Sequence, residues 1–69
     1  MINTGKILGK IKENGFTLSD FAARIGVSRP TLTAKIHNKS SFSVDEMNKV
    51  RKELQLTDED CKLIFFATD

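Results

Sequence analysis

Sixty-nine residues, 39% of them apolar, suffice for one small domain over residues 1–69 with a modest core. A single cysteine, Cys61, excludes an intrachain disulfide and fits a reducing compartment; no apolar run approaches a membrane span and no signal-peptide core opens the chain, so a cytoplasmic protein is expected. Charge is unevenly spread: residues 1–44 carry seven basic and two acidic side chains, residues 45–69 four and seven, and no acid stands between Asp20 and Asp45, which suits one face to a polyanion.

In chain order, a first helix is expected over about Thr4 to Asn14, with Asn3 as its cap and Ile7, Leu8 and Ile11 as its apolar stripe. Gly15 follows where a left-handed residue closes a helix. Four further starts share one grammar, in FTLSDF (16–21), VSRPTL (27–32), FSVDEM (42–47) and LTDEDC (56–61). Each has an apolar residue, a Ser or Thr cap, and an apolar residue four places after the cap. The cap oxygen accepts a backbone N–H, and the flanking apolar pair packs as a staple: Phe16/Phe21, Val27/Leu32, Phe42/Met47 and Leu56/Cys61. In three of the four, an acid three places after the cap completes a capping box; in VSRPTL that place holds Thr31.

These starts give helices over about 18–25 (Leu18, Phe21, Ala22 and Ile25 inward), 29–37 (Leu32 and Ile36 inward), 44–54 (Val44, Met47, Val50 and Leu54 inward) and 58–67 (Cys61, Ile64 and Phe65 inward). Asn38 to Ser41 reads as a polar loop. No alternating strand pattern is present, so the expected fold class is all-α with five helices. Pro30 leaves the start of the third helix open to two readings. Ser28 caps it, or Arg29 does with Pro30 at the first helical position, because a residue before proline avoids the helical region.

The second and third helices are joined by only a few residues around Gly26-Val27-Ser28. Ala22, four residues before the glycine, lets a second helix cross closely, and Gly26 lets the backbone turn where a Cβ would clash. Val27 and Leu32 fill the angle between the helices. This is the physical requirement of a helix-turn-helix.

The segment LSDFAARIGVSRPTLTAKIH resembles the helix-turn-helix of the phage Cro and cI repressor family. The resemblance rests on Ala22, Gly26, Val27 and Ser28, on the apolar Phe21, Ile25 and Leu32, and on Ile36-His37. It is tight over some twenty residues, and the five-helix plan extends it over most of the chain as a lambda-repressor-like domain. Two positions depart from the pattern. Leu18 stands where the family often has Gln, leaving a phosphate-holding role to Thr17 or Ser19. Lys35 stands where an apolar residue is usual.

The resemblance implies a sequence-specific regulator of double-stranded DNA, a phage or mobile-element type of repressor, with helix 29–37 in the major groove. Arg29 is the expected main reader, because Arg pairs bidentately with guanine. Pro30, Thr33 and Ala34 complete the expected base-facing set. Thr17, Ser19, Ser28, Thr31, Lys35, His37, Asn38, Lys39, Ser40 and Ser41 are the expected contacts to the phosphate backbone, which position the protein without reading sequence. The missing acid at Thr31 then has a cause, since a carboxylate there would face phosphates.

A homodimer on two half-sites is expected, with Phe65 and Phe66 in the tail KLIFFATD as its candidate surface; neighbours in a helix cannot both face inward equally. The competing reading is a protein-interaction module, antirepressor- or antitoxin-like, on the same scaffold, and the acid-free third helix weighs against it. A fragment of a sigma-factor DNA-binding region is a third reading. One His and one Cys make no metal site, no nucleophile–base set is present, and Asp58-Glu59-Asp60 reads as a helix start. An enzyme, a cofactor and a metal are therefore not expected.

Overall fold

Every helix starts by one device, and the first four end by another. In a computed structural model, which describes residues 1–66, five helices follow in order: α1 (Thr4–Glu13), α2 (Leu18–Ile25), α3 (Arg29–Ile36), α4 (Val44–Glu53) and α5 (Asp58–Phe65). The starts are capped by Asn3, Thr17, Ser28, Ser43 and Thr57, each with extended backbone and a side-chain oxygen that accepts the N–H three residues on. Asp20, Glu46 and Asp60 reach back to the amides of Thr17, Ser43 and Thr57, completing the three capping boxes.

The endings are equally uniform. Gly15, Gly26, Asn38 and Gln55 all take positive φ, at 79°, 79°, 63° and 52°. Each is followed by a residue whose N–H turns back to a carbonyl in the last helical turn: Phe16 to Ile11, Val27 to Ala22, Lys39 to Ala34 and Leu56 to Arg51. These are Schellman endings. At three of the four junctions the left-handed residue, one apolar residue and the next cap are consecutive: Gly15-Phe16-Thr17, Gly26-Val27-Ser28 and Gln55-Leu56-Thr57. At the fourth, Lys39, Ser40 and Ser41 stand between Asn38 and the Phe42-Ser43 restart.

One core results. Ile7 and Ile11 of α1, Phe21, Ala22 and Ile25 of α2, Leu32 and Ile36 of α3, Val50 of α4 and Ile64 of α5 are buried in it together with Leu54 and Leu56. α2 packs on α3 and α4, and α1 on α5 and α3. Leu8, Leu18, Val27, Met47 and Cys61 are half-buried against its edges. The Phe16–Phe21 staple closes with ring centroids 5.7 Å apart, and Phe42 meets Phe65 edge-on at 5.9 Å.

Val44 corrects the expected stripe of α4: it is 69% exposed. It is the first residue of α4, about 120° around the helix from the buried Val50, whereas Met47 and Leu54 fall within about 60° of it. The ends of α1, α3 and α4 fall one residue earlier than expected, with Asn14, His37 and Leu54 serving as C-caps. α5 ends at Phe65; the expected residue 67 lies outside the described residues.

Candidate nucleic-acid interface

The α2–α3 corner is built as the sequence requires. Ala22 is buried, Gly26 takes the left-handed turn, and the half-buried Val27 packs on the core beside Leu32. Ser28 is the N-cap, with φ −73° and ψ 159°; Arg29 is the first helical residue and Pro30 the second. This settles the ambiguity in favour of Ser28. Pro30 loses no bond, because an N–H in the first turn has no helical partner. Thr31 N–H donates to the Ser28 hydroxyl oxygen at 3.3 Å, and the two hydroxyls are 2.9 Å apart. A neutral hydroxyl pair thus stands where three other helices carry a carboxylate.

With Leu32 and Ile36 fully inward, the other side of α3 is left to solvent. Arg29, Pro30, Thr33, Ala34 and His37 line one shallow depression, joined by Lys39 from the following loop. All four expected base-facing residues are therefore brought together. Among the described residues, neither Arg29 nor Lys39 lies within ion-pairing distance of a carboxylate, whereas Arg24, Lys10, Lys35 and Arg51 pair with Glu53, Asp60, Glu46 and Asp58 respectively. The first turn of α3 contains no acid, unlike those of α2, α4 and α5. The face is consequently cationic and free of competing internal anions.

The expected phosphate contacts divide into two groups. Ser28, Thr31, Lys39, Ser40 and Ser41 are exposed around the depression and its following loop, and His37 is exposed at the C-cap of α3. Thr17 and Ser19 are exposed at the start of α2, where the Asp20 carboxylate accepts the Thr17 N–H at 3.2 Å. That carboxylate makes this end less hospitable to a phosphate than the Lys39 end.

Lys35 and Asn38 are engaged within the fold instead. The Lys35 side chain is only 13% exposed; its ammonium donates to the Ser41 carbonyl at 2.7 Å and to Glu46 Oε1 at 2.9 Å, and sits 5.8 Å from the Phe42 ring centroid. The Glu46 carboxyl is held below its ordinary range, first by the Ser43 N–H and then by the Lys35 ammonium. The charge expected to meet a phosphate is thus directed to α4 instead. Asn38 donates from Nδ2 to the Ile2 carbonyl at 3.0 Å and accepts the Ile2 N–H on Oδ1 at 2.7 Å. Sequence reasoning missed both arrangements, because their partners lie 11 and 36 residues away and local pattern does not encode them. The left-handed helix ending gives the one available signal, since Asn tolerates positive φ.

The two tail phenylalanines separate: Phe65 is 8% exposed and Phe66 is 70% exposed. Phe66 borders a groove whose apolar lining is Met1, Ile2, Phe42, Met47 and Phe65. Residues 67–69 of the tail lie outside the described residues.

A short, glycine-turned α2–α3 corner presenting an uncompensated cationic helix face narrows the choice of family sharply, and comparison with known families decides it. The model of the Cro/C1-type HTH DNA-binding domain matches residues 6–60. The chain belongs to this family. No curated protein matches it. The Cro/C1-type domain accounts for α1 to α4 and the start of α5, and it assigns DNA binding to the molecule. Among the described residues, no helix is long and apolar enough to cross a membrane, and no group of three or more potential metal ligands occurs.

Proposed function

We propose that the chain is a sequence-specific transcriptional repressor of phage or mobile-element type, cytoplasmic, whose residues 1–69 form one domain that lays α3 in the major groove of double-stranded DNA. The observation that carries this reading is the depression shared by Arg29, Pro30, Thr33, Ala34, His37 and Lys39, with no acid in the first turn of α3. Arg29 pairs with a guanine edge, Thr33 bonds a base or meets a thymine methyl, and Pro30 and Ala34 make apolar contact with methyls. Ser28, Thr31, His37, Lys39, Ser40 and Ser41 hold the phosphate backbone, with Thr17 and Ser19 at the far edge. Lys35 and Asn38 support this surface from within.

One recognition helix buries too little surface for high specificity, so two copies bind two half-sites about one helical turn apart. The exposed Phe66 and its neighbouring groove supply a self-complementary patch for such pairing. Replacing Phe66 by Asp is expected to shift sedimentation toward monomer; a dimer that persists unchanged places the interface elsewhere.

Selection of binding sites from random DNA tests the function. The parent is expected to enrich a two-part site, and Arg29→Ala is expected to lose about 1–3 kcal/mol of affinity with relaxed preference at one position of each half-site. Recovery of no motif, or a parent whose DNA affinity is insensitive to salt, overturns the reading.

A further inference from the structure

Only in the junction that follows α3 do residues stand between the left-handed residue and the apolar–cap pair, and those three inserted residues include Lys39, which lines the same depression as Arg29. A polar insertion of this kind has no apolar anchor of its own. It is nevertheless held at both ends. The N–H groups of Lys39 and Ser40 return to the Ala34 carbonyl at 2.8 and 3.4 Å, and the Ser41 carbonyl accepts the Lys35 ammonium. Asn38, at the start of the insertion, grips the Ile2 backbone with both ends of its carboxamide. Ile2 is itself fixed from its other side, because Asn3 N–H donates to the Ile64 carbonyl of α5 at 2.8 Å and the Thr4 hydroxyl donates to the Ile36 carbonyl at 2.8 Å.

From this geometry we infer that Asn38 is a positioning residue for DNA binding, and that the N-terminal residues are the brace it acts through. Position 38 makes two demands on one side chain. The backbone is left-handed, which Gly and Asn accept with little cost, and the side chain must offer a donor and an acceptor in one plane. Asn meets both demands; Gly meets only the first. The clamp fixes the segment that carries Lys39 and Ser40 before DNA arrives, so phosphate binding does not have to order it. The carboxamide's donor and acceptor are engaged at Ile2, and Asn38 acts on DNA through its neighbours.

This inference rests on the DNA-binding reading, and the test separates the two. Asn38→Gly removes the clamp while keeping a residue suited to positive φ. Ile2→Pro removes the N–H that Asn38 accepts, at a position outside the expected DNA contacts. Because Ile2 and Asn38 both border the groove beside Phe66, sedimentation of each variant is measured too, and weaker binding that tracks loss of the dimer overturns the inference. Amide exchange at Lys39 and Ser40 is measured in the free proteins, and affinity for the selected site in the parent, the two single variants and the double variant. Both single variants are expected to exchange faster at Lys39 and Ser40 and to bind DNA roughly three- to tenfold more weakly, the scale of one or two net hydrogen bonds. The double variant is expected to be no weaker than either single one. If Asn38→Gly weakens binding while Ile2→Pro changes neither affinity nor exchange, Asn38 touches DNA directly and the inference fails. If the parent binds no DNA, the proposed function fails, and exchange alone decides the clamp: unchanged protection in both variants overturns it.

Discussion

The junctions on either side of α3 solve different problems with the same parts. The α2–α3 junction has three residues, and each does one thing. Gly26 makes the left-handed turn, Val27 plugs the corner and Ser28 caps the next helix. The α3–α4 junction has the same three parts in Asn38, Phe42 and Ser43, but Lys39, Ser40 and Ser41 are inserted among them. The first junction sets the angle between helices and is held by the core. The second carries polar groups toward the outer face of α3 and is held by side-chain hydrogen bonds, from Asn38 and from Lys35 with Glu46. A rigid angle needs apolar packing; a rigid polar loop needs dedicated polar partners.

The two starts that follow these junctions differ in charge, and replacement of Thr31 by Glu tests that difference most severely. A carboxylate there completes a capping box, so thermal unfolding is expected to stay unchanged or to move up by the equivalent of less than about 1 kcal/mol. Facing phosphates, the same group is expected to cost several kcal/mol of DNA affinity, the scale of like-charge contacts at interfaces. A Thr31→Glu variant that binds as tightly as the parent removes the electrostatic explanation of the neutral start.

Next in size is Gly26→Ala. A Cβ at Gly26 meets only the Lys49 ammonium, at 3.8 Å, so space is not the obstacle. The positive φ is, and roughly 1–2 kcal/mol of stability is expected to be lost in denaturant unfolding. An Ala variant as stable as the parent shows that the corner does not depend on the left-handed turn.

The smallest effect expected is a pH dependence that the α3–α4 junction shows and the α2–α3 junction does not. The folded-state pKa of Glu46 is lowered from its ordinary 4.5, chiefly by the Ser43 N–H and then by Lys35. The stabilisation it provides is therefore complete above 4.5 and is lost as pH falls through the lowered value. On acidification, the amide resonances of Ser41 and Ser43 are expected to move together, while those of Ser28 and Thr31, which lack a carboxylate partner, stay still. Glu46→Gln is expected to abolish the movement. Parallel movement at Ser28 would show that the two starts share a titrating group.

The sequence discloses those parts of the molecule whose causes are local. Caps, capping boxes, staples and the turn at Gly26 involve residues within five positions of one another, so all five helices and the outward set Arg29, Pro30, Thr33 and Ala34 follow from spacing alone. Val44 escapes this rule because it is a first-turn residue, and the buried stripe of α4 begins a turn later. The partition of Phe65 and Phe66 depends on where α5 packs against Phe42 and α1, which no local pattern states. In the sequence, Lys35 and Asn38 look like solvent-facing polar residues at the end of the second helix of a helix-turn-helix. Their partners, Glu46 and the Ile2 backbone, come within reach only once the chain has closed on itself.

The punctuation at Asn38 and at Phe42-Ser43 also has an evolutionary consequence. The side chains that end α3 and begin α4 lie outside the insertion, which takes part in the ending only through the backbone N–H groups of Lys39 and Ser40. The intervening stretch is therefore a cassette whose length and sequence can drift without renegotiating the fold; even doubling it adds only about 0.6 kcal/mol of closure entropy. On the proposed reading, such a domain can acquire a new grip on the sugar-phosphate rail by exchanging three residues, while the outward face of α3 is inherited unchanged.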